Sequence, residues 1–375
     1  MSVTRIHVDR NILIWAVERV GKTVDEYVME NPKFQQWLDG TKLPTFKNVE
    51  QFARKFYVPL GYMFLKTPPE EVCPIPFFRN IDNQAHNVNV YDTVAEMQER
   101  QEWLSYYLRR IDIGKVEFVG LFSIENSAQD VCDKIREILG VAHNWAFEYR
   151  SIDDALKYIT KKIEDKGVIV SYNSVVGFNN SRPLPVKDCR GFTLVDDYAP
   201  FIFINSKDAK VAQMFTLFHE LAHVLIGYSA GVGEVNLEQL SDLERFCDKV
   251  AANFLVPELL LEEAWANVGE NYEVLSKRFK VSRFVIARRA MELGYITRND
   301  FFRLYNIWIN EPRVKANDSQ GGNFYPSAIK KSSRTFLIHV NNALNRNMLL
   351  HMDAYRLTGL KGDTFHKILN SPFFV

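Results

Sequence analysis

Met214–Gly227, MFTLFHELAHVLIG, restricts what this chain can fold into more than any other stretch. Apolar side chains dominate it, no proline interrupts it, and Gly227 stands where a helix would stop, so a largely buried helix is expected. On a helix, residues four apart share a face, and His219 and His223 can therefore grip one metal ion together. Glu220, one step round, can reach a water on that metal and serve as general base. This is the H-E-x-x-H spacing of zinc metalloproteases. The plainer alternative is an amphipathic helix with two buried histidines and a glutamate at its edge.

A catalytic zinc site takes three protein ligands and leaves one position open. Downstream, residues 240–257 read LSDLERFCDKVAANFLVP, where Leu243, Phe246, Val250, Phe254 and Leu255 fall at helical spacing and Pro257 ends the run. Glu244 and Asp248 lie four apart on this second helix and so share a face. Glu244 can complete a His₂Glu site. Asp248 can accept the other ring N–H of a ligand histidine and fix its tautomer. The small pair Ala251-Ala252 lets the two helices approach. Glu238 and Asp242 compete as carboxylates, and the whole set also fits the solvated face of an acidic helix.

FTLFHELAHVLIG followed by LERFCDKVAANFLVP resembles the ImmA/IrrE family of metallo-endopeptidases, and CRGFTLVDDYAPFIFINSKDAKVAQMFTLFHE resembles that family's entry into the motif. The resemblance implies a minimal gluzincin-like fold with Zn²⁺ as cofactor. It further implies His219, His223 and Glu244 as ligands, Glu220 as the base, and a protein substrate such as a transcriptional repressor. Asp248 stands where relatives often carry Asn. A donor that stabilises the oxyanion is usually His or Tyr, and Tyr198, Tyr228 and Tyr272 are the candidates. The His₂Glu donor set makes zinc the first choice of metal.

The rest of the chain divides by its punctuation. Residues 1–70 hold five short helical segments, and WAVERVGKTVDEYV and WLDGTKLPTFKNVEQFARKFYVPLGYMFL resemble the lambda-repressor-like helix-turn-helix module. Only NPKFQQ stands where a recognition helix would read DNA, so docking or dimerisation competes with DNA binding. Residues 71–125 read as a Pro-rich linker and a connecting helix, 94–111. Residues 126–270 read as the peptidase domain: two helices, a strand VIVSYN, two further strand-like runs, then the metal helices. FIFIN is the expected edge strand for an extended peptide. Residues 271–312 read as a second helix-turn-helix-like unit capped by Ser282, with Arg283, Arg288 and Arg289 available for phosphates. Residues 313–375 form a basic helical region. The fold class expected is mainly α with a small β-sheet (α+β).

Charge and cysteine usage narrow the remaining classes. Lys plus Arg equal Asp plus Glu over the 375 residues, yet 234–273 hold ten acidic and two basic residues while 275–375 hold seventeen basic and six acidic ones. That asymmetry fits either a DNA-binding face on 275–375 or packing of the two segments on each other. The four cysteines are far apart, and no apolar run approaches membrane-spanning length, so a cytoplasmic protein without membrane contact is expected. A homodimer is compatible with all of this. The competing function is a DNA-binding regulator that uses the peptidase fold as a sensor or interaction platform.

Overall fold

The computed structural model describes residues 4–71, 88–228, 237–311, 323–372 and 374, the side chains of 237–240 excepted. The chain forms two compact units, Met1–Val94 and Ala95–Val375. It is mainly α-helical with a small β component. Among the described residues no helix is long and apolar enough to cross a membrane. The stretch read as a Pro-rich linker lies, from 72 to 87, outside the described residues.

The first unit packs α1 (Arg10–Glu18), α2 (Val24–Glu30), α3 (Lys33–Leu38) and α4 (Phe46–Lys55) around Ile12, Ala16, Tyr27, Phe34, Phe52 and Phe56. Thr23 and Thr45 close reciprocal capping boxes with Glu26 and Asn48, each satisfying two backbone N–H groups at the start of α2 and α4. Helix α3 has only six residues and opens on Pro32. Arg19 is the ionic anchor of this unit, reaching Glu71 at 2.8 Å and Asp92 at 2.6 Å.

The unit boundary falls within α5 (Val88–Arg110), which begins at Val88 rather than at Val94 as the apolar spacing suggested. There follow α6 (Ala128–Leu139), α7 (Ile152–Glu164), β1 (Ile169–Asn173), β2 (Val175–Val176), β3 (Asn179–Pro183), β4 (Gly191–Leu194) and β5 (Phe201–Asn205). Strands β2 and β3 form a small antiparallel pair, and the main sheet has the order β1-β5-β4. Strand β5 runs parallel to β1 and antiparallel to β4. FIFIN is therefore the central strand and not the edge strand expected from sequence. The physical reason shows in its burial: all five residues of β5 are buried, as in a strand covered on both faces. Val170, Tyr172, Ile202 and Ile204 join the main core on one face, while Phe201 and Phe203 meet Phe336 and Phe192 on the other.

The helical remainder is α8 (Lys210–Ile226), α9 (Leu237–Leu255), α10 (Glu258–Val268), α11 (Tyr272–Phe279), α12 (Arg283–Glu292), α13 (Arg298–Ile309), α14 (Phe324–Ser332), α15 (Arg334–Asn345), α16 (His351–Thr358) and α17 (Gly362–Leu369). Helices α8 and α9 pack face to face, with Phe218 stacked on Phe254 at 4.1 Å between ring centres and Ala251 fully buried. Burying each such phenylalanine contributes roughly 1.5–3 kcal/mol. The C-terminal end of α8 is held by backbone: Gly120 N–H donates to the Val224 carbonyl at 3.1 Å and Phe122 N–H to Leu225 at 3.0 Å. Gly227 ends the helix in the left-handed region, and a Cβ there would lie 2.5 Å from the Gly120 Cα.

The C-terminal helices dock on the sheet through β1. Ser171 Oγ donates to the Lys331 carbonyl at 2.6 Å, and Ser333 caps α15 while donating its hydroxyl to Glu164. The Glu164 carboxyl also accepts from the backbone N–H groups of Val170 and Thr335. Burial pushes its pKa up from 4.5 to about 7, although these hydrogen bonds and the nearby Arg334 pull it down. The native state thus keeps a proton that the unfolded chain has lost between those two values. Stability accordingly falls as pH rises through that window and stays lower above it. Glu164→Gln, which cannot ionise, should abolish this fall and gain up to about 3 kcal/mol on wild type between about pH 5 and about pH 8. Urea midpoints of both proteins at the two pH values check this; parallel pH dependence would contradict it.

Candidate metal centre

Helix α8 presents His219 and His223 on one face because they are one turn apart, and α9 presents Glu244 and Asp248 for the same reason. Close packing of the two helices brings these side chains together. Ligating atoms of His219, His223 and Glu244 all lie within 4.8 Å of one another. His219 Nε2 is 3.2 Å from His223 Nε2 and 3.1 Å from Glu244 Oε2, and His223 Nε2 is 2.9 Å from Glu244 Oε1. A tetrahedral ion with bonds of roughly 2.0–2.2 Å sets its ligand atoms roughly 3.3–3.6 Å apart. The observed separations are of that order. Glu244 Oε1 is buried, with His223 Nε2 beside it. Two imidazole nitrogens and a carboxylate aimed at one point fit a divalent cation.

The electrostatics point the same way. Burial would pull His219 down, but hydrogen bonds to Asp248 and Glu244 and the nearby carboxylates carry its pKa up to about 10. Burial would likewise raise Glu244, but the hydrogen bonds and charges of both histidines hold it down at about 2. Without a metal, then, the cluster recruits positive charge in the form of a proton on imidazole. A metal ion supplies that charge without it.

Asp248 Oδ1 is 3.0 Å from His219 Nδ1. With the proton on Nδ1, the lone pair of Nε2 is directed toward Glu244 and His223. Glu220 is buried, and its carboxylate is positioned by a residue that the sequence reading did not single out. Thr193 Oγ1, on β4, lies 2.8 Å from Glu220 Oε2 and 3.0 Å from the Glu220 carbonyl. Gly191, two residues earlier on the same face of β4, leaves space beside the other oxygen. A Cβ at 191 would sit 3.3 Å from Glu220 Oε1, 2.6 Å from Thr216 Cγ2 and 2.8 Å from the Phe203 carbonyl. The period-two alternation of GFTL was the available signal, since it puts Gly191 and Thr193 on the face opposite Phe192 and Leu194.

The tyrosine candidates separate. Tyr198 lies beneath Arg109 at 4.5 Å, and the Tyr272 hydroxyl donates to Glu270 at 3.4 Å with its ring against Trp265 and Trp308. The Tyr228 hydroxyl is buried without a hydrogen-bond partner among the described residues. The arginines read as available for phosphates each have a partner within the protein. Arg289 is buried and donates to the Val256 carbonyl at 3.3 Å, which closes the end of α9. Arg283 reaches Glu311 at 2.5 Å, and Arg288 lies 3.5 Å from Asp248.

Two segments match known families. Residues 178–291 match the IrrE N-terminal-like domain of the M78 peptidases, a stretch that contains β3 to α12 and so every residue of the centre. Residues 332–371, the last three helices, match a domain of unknown function (DUF8813). No curated protein matches the chain.

Purified protein should bind one zinc ion, and His223→Ala or Glu244→Ala should lose it, as read by metal analysis after dialysis. Zinc retained at full stoichiometry in both variants would show that the ion sits elsewhere. Gly191→Ala should cost about 1–3 kcal/mol in thermal or urea unfolding, because the backbone carbonyl of Phe203 cannot retreat from the added methyl.

Proposed function

We propose that this chain is a zinc-dependent endopeptidase acting on a regulatory protein, such as a transcriptional repressor. The observation that carries this reading is the convergence of His219, His223 and Glu244 beside a Glu220 carboxylate held in place by Thr193. A pure scaffold needs neither the base nor the means of holding it. The match of residues 178–291 to a peptidase family supports the reaction class.

His219, His223 and Glu244 would hold the ion, which when bound supplies Lewis acidity toward water and the scissile carbonyl. Glu220 takes the proton of the attacking water and delivers it to the departing amine, alternating between base and acid. Thr193 keeps one carboxylate oxygen occupied, so that the oxygen facing Gly191 does the proton transfer. Asp248 orients His219. The edge of the sheet beside this base is β4, and no described strand pairs with its outer side, so an extended substrate can add there in β-fashion.

The N-terminal module, read against a lambda-repressor-like helix-turn-helix, has a third helix of six residues. So short a helix offers few side chains to a major groove, which weighs against sequence-specific DNA reading by this module. Charge alone does not favour the competing regulator reading, since the arginines of α12 are engaged within the protein.

Comparison of wild type with Glu220→Gln in cells, by global mapping of protein termini, tests the proposal. New termini should appear with wild type only, in a small set of proteins, and the variant should retain its zinc. Chelation should stop cleavage in a lysate and added zinc restore it. Termini identical in both strains under every inducing condition would overturn the proposal.

A further inference from the structure

We infer that Arg288 is a positioning residue of the metal centre, acting on His219 through Asp248; this rests on the zinc reading above. Asp248 has two oxygens and gives one to each neighbour. Oδ1 is 3.0 Å from His219 Nδ1, and Oδ2 is 3.5 Å from Arg288 Nη1. The carboxylate is thus bridged between a ligand histidine on α8 and a cation on α12, and its own helix, α9, lies between them. A carboxylate with a single partner can rotate about its terminal bond. One held at both oxygens cannot do so without breaking a contact.

The cation is itself fixed. Its Nε lies 3.3 Å from Glu292 Oε1, one turn further along α12. The helix is anchored by the adjacent Arg289, which is buried and bonded to the Val256 carbonyl at the end of α9. Ile286, Ala287 and Ala290 complete the buried face. The arginine and the carboxylate it holds therefore belong to helices locked together by a different contact, so their distance does not depend on the ion pair alone.

Charge balance gives a second reason. Glu220, Glu244 and Asp248 gather three negative charges around two imidazoles. A divalent cation leaves one of them uncompensated, and Arg288 is the cation in contact with Asp248 among the described residues. The helix-turn-helix-like unit thereby forms one wall of the metal centre. The match to the IrrE N-terminal-like domain extends to residue 291 and includes Arg288.

Zinc affinity of the full chain, measured by competition with a chromogenic chelator, tests this in a double-mutant cycle. Asp248→Asn should weaken zinc binding about 10- to 100-fold, as loss of a carboxylate behind a ligand histidine does. Arg288→Ala should weaken it about 3- to 10-fold in the wild-type background and not at all in Asp248→Asn. Arg288→Lys, which keeps the charge, should recover part of the loss. Should Arg288→Ala fail to fold, Arg288→Gln takes its place in the cycle. Wild-type affinity in the arginine variant, or an equal loss in both backgrounds, would overturn the proposal, the latter because it shows a diffuse charge effect. Wild type that binds no zinc would overturn the metal reading beneath it, a distinct outcome.

Discussion

Like-charge crowding is the constraint on which this structure depends. Three carboxylates approach two imidazoles where α8 meets α9, and each is tethered by a specific group: Glu220 by Thr193, Glu244 by both histidines, Asp248 by His219 and Arg288. Left untethered, such carboxylates would spread apart or take up protons. The surrounding fold supplies rigidity to oppose this. Stacked phenylalanines fix the spacing of the two helices, and Arg136 and Arg289 bind the carbonyls of Phe254 and Val256 at the end of α9, from α6 and α12. Guanidinium groups at a helix C-terminus meet its negative pole as well as its unpaired carbonyls.

The centre lies on one face of the sheet, where α8 and α9 share a core with Val170, Ile202 and Ile204. Strand β5 leads directly into α8, so the central strand of the sheet sets the position of the helix that carries His219 and His223. Strand β4 is the neighbour that touches Glu220. The opposite flank, β1, carries the C-terminal helices through Ser171, and Glu164 at the end of α7 adds a second hold. The two matched segments touch where Phe336 of the C-terminal one meets Phe201 on β5 of the other.

What could be read from sequence follows the range of the interactions. Histidines one turn apart, and carboxylates one turn apart, are local facts of helix geometry, and so the partners in the centre were legible before any tertiary information. Caps were legible for the same reason, as at Ser282. The role of FIFIN was misread because an unbroken apolar run reports burial on two faces but not which neighbours provide it, and the edge of a sheet is a property of topology. Thr193 went unread, and Arg288 was read only as a phosphate contact, because packing alone identifies the partner of each. The arginines of α12 show the same limit from the other side: composition marked them as basic, and only the fold supplies the acids and carbonyls that occupy them.

The meeting of Gly120 and Gly227 bears on how this protein can vary. The helix end that carries His223 is gripped by main-chain atoms of residues 120 and 122, not by side chains. Leu121, between them, is half exposed. Hydrogen bonds from main chain to main chain are indifferent to side-chain identity, so this strap can drift at its exposed positions without disturbing the histidine one turn away. Gly227 cannot share that freedom, since a single methyl there would collide with the strap. A protein whose targets change over time could thus remodel the surface of this segment while the centre beneath it stays as it was.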